Sequence, residues 1–385
     1  MKKLFLSLFI IIVLSFVSVY IFLFTPFGNS IVASMLEEKA NEKGIAAFKV
    51  EEFELDLNNI KLISTIDADS KVTLAGTYDI FSQTVDINYL VDIKDLSKLE
   101  KFTSQKLQGS LALTGTVIGD EKKAIVTGKT NIFDSLTTYD ISLKDFEPKT
   151  INVKIDSAKI EQILALSNQP LYAKGIVNID VNIKDASIES LDGTVKLNIR
   201  NTVLTNEVVN KNFDLKLTKM VKINADVTSK LIPNKVISNI KLNSNLANIT
   251  LEHNILNIKE KSINSDYLLS VRKLNDLSDF IETNSQKGFT VNGVVKGDEK
   301  LLLTSGESNI FQSKTKYEIN LKNKKPNKID VNIHNAKLSE VLAFANQPIL
   351  AKGLLNVDAN IKDANIGSLD GMVKLNIKKA KINNA

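Results

Sequence analysis

Ala173-Lys174-Gly175-Ile176-Val177-Asn178-Ile179-Asp180-Val181-Asn182-Ile183-Lys184-Asp185 decides the fold class of this chain. From Val177 onward apolar and polar residues alternate: Val177, Ile179, Val181 and Ile183 against Asn178, Asp180, Asn182 and Lys184. Successive side chains of a strand point to opposite faces, so the segment makes one apolar and one wet face. The same alternation runs through Ile151, Val153 and Ile155, and through Val195, Leu197 and Ile199. It dominates from Phe48 onward, and the chain is expected to be mainly β with a few short helices.

The quoted stretch is written twice. Residues 89–207 align without a gap to residues 267–385, at roughly 45% identity. Leu355, Val357, Ala359 and Ile361 repeat the alternation of the quoted strand. Ile329, Val331 and Ile333 repeat the second run, and Val373, Leu375 and Ile377 repeat the third. Gly115 and Gly119-Asp120-Glu121-Lys122 return as Gly293 and Gly297-Asp298-Glu299-Lys300; Asn168-Gln169-Pro170 returns as Asn346-Gln347-Pro348. An active site is normally built once, whereas a long surface is built by copying. The repeat therefore predicts an elongated tandem array, with residues 48–228 as a first β repeat and 229–385 as a second, incomplete one. Nothing in the second copy matches the strands expected after Glu207, so the chain reads as a fragment or as an array without a cap.

Short helices interrupt the strands. Residues 157–166 place Ile160, Ile163 and Leu164 on one side, as the second copy does with Leu338, Val341 and Leu342. Pro170 and Pro348 follow as stops. Residues 96–103 and 274–283 read as a further helix in each copy, and all are expected to cover sheet ends or edges. Gly119-Asp120 and Asp192-Gly193 sit where turns belong, and the repeated Gly-Asp-Glu-Lys reads as a charged hairpin tip.

At the N-terminus Lys2 and Lys3 precede an uncharged apolar run, residues 4–24. As a helix it would rise about 31 Å, matching a hydrocarbon core of about 30 Å. Thr25-Pro26-Phe27-Gly28 is a poor cleavage site, so an uncleaved anchor is expected in residues 1–27, its N-terminus cytoplasmic and the bulk of the chain across the membrane. A helix over residues 29–43 should follow, capped by Asn29 or Ser30 and stopped by Gly44, within a juxtamembrane segment 28–47. Its Ile31, Val32, Met35 and Leu36 have two destinations open to them: the membrane surface or the first strands.

Composition excludes several classes of function. The net charge is +5, with lysines alternating in strands, which gives no electrostatic reason to expect nucleic acid. There is no cysteine, so disulfides, thiolate metal sites and cysteine nucleophiles are out. His253 and His334 stand alone, and neither belongs to a ligand pattern. No phosphate loop or nucleophile elbow occurs; neither an enzyme nor a cofactor is expected. The apolar face can be buried in three ways: by sheet-on-sheet packing, by closure into a barrel or solenoid, or by acyl chains in an open groove. Pattern alone favours the sandwich.

The anchor running into Thr25-Pro26-Phe27-Gly28, the repeated helix–Pro–Ala-Lys-Gly–strand element, and the repeated Ser-Leu-Asp-Gly-x-Val-Lys-Leu-Asn-Ile together resemble the AsmA-like superfamily, which includes TamB and its relatives. This resemblance covers most of the chain, although no C-terminal partner-docking domain is recognisable. It implies an elongated, curved β-groove anchored in the bacterial inner membrane and lying in the periplasm. It also implies phospholipids as partners, carried toward the outer membrane in support of envelope integrity. The groove lining would be Val177, Ile179, Val181, Ile183, Val195, Leu197, Ile199, Leu355, Val357, Ile361, Val373, Leu375 and Ile377. The alternative is a structural scaffold or assembly factor for outer-membrane proteins.

Overall fold

The computed structural model describes residues 24–45, 47–104, 107–283 and 285–382. The expected anchor lies outside the described residues except for its last few positions. Among the described residues no helix is long and apolar enough to cross a membrane.

Helix α1 (Pro26–Glu42) leads into β1 (Phe48–Leu55), β2 (Asn59–Ile66), β3 (Ser70–Asp79) and β4 (Thr84–Ile93). A 3-10 turn and α2 (Glu100–Thr103) precede β5 (Leu111–Gly119), β6 (Lys123–Thr130), β7 (Leu136–Lys144) and β8 (Glu147–Lys159). Then come α3 (Ile160–Leu166), β9 (Ala173–Asp185), β10 (Asp192–Leu204) and α4 (Asn206–Phe213). The chain continues through β11 (Lys222–Ile232), β12 (Lys235–Ser244), β13 (Asn248–Asn257) and β14 (Ser262–Val271). It ends with β15 (Phe289–Asp298), β16 (Leu301–Ser308), β17 (Lys314–Lys322), β18 (Lys325–Lys337), α5 (Leu338–Phe344), β19 (Ala351–Asp363) and β20 (Asp370–Ile382).

All twenty strands belong to one antiparallel sheet that does not close. Antiparallel neighbours need only a short turn between them, and the alternating sequence supplies strand after strand of matching length. Contacts gather in two units. The first holds the chain to Leu171 together with Asp180–Ser187; the second holds Tyr172–Ile179 and everything from Ile188 onward. These units do not coincide with the two sequence copies, because the first copy contributes to both.

The filled sandwich favoured by pattern is not what forms. Such a sandwich buries large inward side chains completely. Here the largest fully buried side chains are Ser64, Ser265 and Ser285. Compact apolar clusters form instead where loops and helices cover strand ends. Ile66, Ile93 and Leu96 make one cluster in the first unit, and Val209, Leu217 and Val221 make one beneath α4 in the second.

Several boundaries differ from the sequence expectation. Thr25 caps α1 and Pro26 opens it, earlier than Asn29 or Ser30, because proline at the first turn needs no N–H partner. The helix stops before Gly44, whose φ is +91°. Strand β8 runs on to Lys159, so α3 starts at Ile160 and not at Ser157. Ser157 takes φ 60° and Ala158 is fully buried, which fixes the strand end before the helix begins. Asp192 and Gly193 open β10 rather than forming a turn, with Gly193 paired to Leu231. The expected helix over 274–283 shortens to a 3-10 turn at Leu274–Leu277.

Candidate functional site

The strand register assigns every side chain to a face. In the first unit Leu74, Tyr89, Gly115, Gly128, Tyr139 and Val153 form one row across six strands. Its neighbour is Gly76, Ile87, Val117, Val126, Ile141 and Ile151. Neither row holds a charge. The opposite face carries Lys71, Asp92, Asp86, Lys129, Asp140 and Lys154.

In the second unit the rows are longer. One runs Leu197, Val227, Ile240, Leu251, Tyr267, Gly293, Gly306, Tyr317, Val331, Ala359 and Val373, crossing β10 to β20. Another runs Ile199, Ala225, Leu242, Ile249, Leu269, Val291, Ser308, Thr315, Ile333, Val357 and Leu375. Neither contains a charged residue. Bulges at Ile199/Thr202, Ser238/Ile240, Glu252/Ile255 and Ile333/Ala336 shift the ladder without moving a charge into these rows.

Most of the expected lining residues therefore share one face. Leu197 and Val373 stand in the first long row; Ile199, Val357 and Leu375 stand in the second. Leu355 pairs with Ile377, Ile361 pairs with Gly371, and Val195 pairs with Ser229. Val177 is buried, Ile179 is half-buried beside it in the second unit, and Val181 and Ile183 are half-buried in the first. Only the β20 residues differ: Val373, Leu375 and Ile377 are 56%, 67% and 50% exposed.

One feature of the face was not anticipated. Tyr89 and Tyr139 lie three strands apart in one row and meet hydroxyl to hydroxyl at 2.6 Å, above Gly115 and Gly128. The Tyr89 hydroxyl also donates to the Thr127 carbonyl at 3.0 Å. The glycines are required. A Cβ on Gly115 would stand 2.4 Å from the Tyr89 hydroxyl, and one on Gly128 would stand 2.4 Å from that of Tyr139. The second copy rebuilds this arrangement: Tyr267 meets Tyr317 over Gly293 and Gly306, and Tyr267 bonds Thr304 Oγ1 at 2.7 Å. Burial, and then the bond to its partner tyrosine, pushes the hydroxyls of Tyr89 and Tyr317 above their ordinary range.

Proton counting says what this rung can do. Tyr89 gives its proton to Thr127, so Tyr139 gives its own to Tyr89, and both donors are spent. The pair is a cross-strand tie that leaves the face without a charge or a free donor at that point. Its four residues recur identically in sequence, but only the register shows that they share a row.

The repeated acidic tips belong to turns. Asp120 accepts from the amides of Lys122 and Lys123 at 2.8 and 2.7 Å, and Asp298 does the same for Lys300 and Leu301, so the Gly-Asp-Glu-Lys tips are hairpin turns. His253 lies exposed on a bulge with Nδ1 3.4 Å from Asp266, and His334 is exposed opposite Lys314. Among the described residues no group of His, Asp and Glu is placed to hold a metal ion. No family model, curated protein or solved structure matches the chain.

Proposed function

We propose that this chain is an AsmA-like protein, anchored in the bacterial inner membrane, whose apolar sheet face takes the acyl chains of phospholipids and carries them toward the outer membrane. The observation that supports this is the charge-free face itself: two rows cross eleven strands of the second unit without a charged residue, and most of their side chains are half-buried or exposed. Each methylene laid on such a lining contributes about 0.8 kcal/mol, so a lipid leaves a bilayer only where the lining is continuous. Repeated Val, Ile and Leu with no charged step offer no position that binds too tightly. The head group stays at the wet margin, and no catalytic residue takes part.

The exposed row of β20 makes the test clean, because a new group at Leu375 does not disturb packing. A photo-crosslinking amino acid at Leu375 or Ile249, on the apolar face, is expected to capture phospholipid in cells. The same group at Lys374, on the polar face, is not. Native mass spectrometry of the purified chain should show bound phospholipid that is lost on Val373→Asp with Leu375→Asp. Adducts absent from both faces, with a lipid-free folded protein, would sink the conduit and leave the scaffold for outer-membrane proteins.

A further inference from the structure

The first half of helix α1 turns polar side chains toward its own strand and keeps its large apolar ones on the other side. Residues four apart lie on one side of a helix. Asn29, Ala33, Glu37 and Asn41 form the side that meets β1. Their contacts are polar: Glu37 Oε1 accepts from Val50 N at 2.6 Å, and Asn41 bonds both N and O of Phe48 at 3.2 and 3.1 Å. Asn29 Nδ2 donates to the Leu55 carbonyl at 3.4 Å. The side chains thus satisfy backbone groups along the open edge of the first strand.

The opposite side is apolar. Phe27, Ile31 and Met35 form one row there, with Val32 and Leu36 beside them. Phe27, Met35 and Leu36 are 69%, 52% and 36% exposed, while Ile31 and Val32 are half-buried. A helix resting on a protein core does the reverse, burying its apolar side and showing its polar one. The apolar row also stops abruptly: after Leu36 the outward positions are Glu38, Lys39 and Glu42. In sequence, the row begins directly after the uncharged apolar run 4–24.

We infer that the outward side of α1, from Phe27 to Leu36, docks on a lipid bilayer surface, with the water boundary between Leu36 and Glu38. Two features commit the surface to lipid. An apolar run of membrane-spanning length delivers the helix to the interface, and the switch from apolar to charged along one side matches the shallow depth of an interfacial helix. The polar side then seals the edge of β1, so one helix closes the sheet edge and holds it at the membrane. This inference shares the anchor with the proposed function but makes no use of the apolar sheet face.

The chain has no cysteine, so a single introduced thiol is unique. The full chain carrying Phe27→Cys, Met35→Cys, Lys39→Cys or Glu42→Cys, labelled with an environment-sensitive fluorophore, is bound to phosphatidylethanolamine–phosphatidylglycerol vesicles containing acyl-chain nitroxide lipids. Quenching at positions 27 and 35 should exceed that at 39 and 42 by about threefold or more. A chain that floats with the vesicles while position 35 is no more quenched than position 42 overturns the inference and leaves the anchor standing. A label at 35 shielded from both water and lipid also overturns it, because residues of this chain then cover the row. A chain that does not float with the vesicles overturns the inference and the anchor together.

Discussion

Strands β10 and β20 are the same strand written twice. Both read Asp-Gly-x-Val-Lys-Leu-Asn-Ile at their start. In β10 the row Val195, Leu197 and Ile199 is half-buried, whereas in β20 the matching Val373, Leu375 and Ile377 are at least half exposed. The strands differ in their neighbours. β10 is paired along its length by β11, and α4 packs Val209 against Leu217 and Val221 at the strand end. Among the described residues β20 pairs only with β19. Shelter for an inward side chain thus comes from the neighbouring strand and its loop, not from the residue's own identity or alternation.

The largest contrast between the two strands is expected when each receives one charge. Leu197→Asp is expected to destabilise the second unit by about 3 kcal/mol, because it strands a carboxylate among half-buried apolar neighbours. Leu375→Asp should cost less than about 0.5 kcal/mol, since the new charge keeps its water. Urea unfolding of both variants decides the matter. Equal losses would mean that β20 is sheltered in solution.

The tyrosine rungs approach the same point from the other direction, for here both copies keep the two tyrosines and two glycines and differ in the threonine that Tyr89 or Tyr267 bonds. Gly128→Val and Gly306→Val should each cost about 2 kcal/mol, because the added carbons meet both the tyrosine hydroxyl and a neighbouring strand's carbonyl, that of Thr114 or Asn292. Thermal unfolding should show the two losses to be similar. Removing one hydroxyl is milder: Tyr89→Phe and Tyr267→Phe should each cost about 1 kcal/mol, the usual net value of such a bond. The folded-state titration of Tyr89 and Tyr317 is raised, so the stabilising neutral form is fully present below the unfolded value of about 10 and is lost as pH climbs above it. Alkaline unfolding profiles of Tyr89→Phe and Tyr317→Phe should be flatter above pH about 10 than that of the parent chain.

The smallest expected effect concerns the loop after α4. Asp279 accepts from Thr218 N at 2.7 Å, Thr218 Oγ1 at 2.6 Å and Lys219 N at 3.1 Å, and these bonds hold its carboxyl below the usual range. Asp279→Asn should speed amide exchange at Thr218 and Lys219 while leaving the global unfolding midpoint unchanged. Acidification should do likewise: the tie persists above pH about 4 and is lost as pH falls through the lowered titration. A shifted global midpoint would show that this tie belongs to the cooperative core of the second unit and not to a locally opening loop.

The alternation at Val177–Ile183 and its copies is enough to specify a β protein and its duplication, and the registers of β10, β19 and β20 put their alternating apolar residues on one face. The rung was less legible. Tyr89, Gly115, Gly128 and Tyr139 are spread over fifty-one residues, and no local pattern reveals that they share a row. Only the hairpin registers bring them together, because each antiparallel pairing fixes which residue stands opposite which. The edge of β1 was hidden for a related reason: Asn29, Glu37 and Asn41 read as an ordinary polar helix face until the strand beside them presents N–H and C=O groups for them to bond.

Which residues alternate, which segments repeat and which residue types are absent can all be read from the sequence, since they depend on side-chain identity and spacing alone. How deeply each apolar row is sheltered emerges only in three dimensions. So does the joining of the strands into one unclosed sheet without a filled sandwich core, and the bridging of two glycines by two tyrosines. The physical reason is the same throughout. Burial and hydrogen bonding depend on neighbours brought in from distant parts of the chain, and one amphipathic strand serves a sandwich, a barrel or a groove equally well.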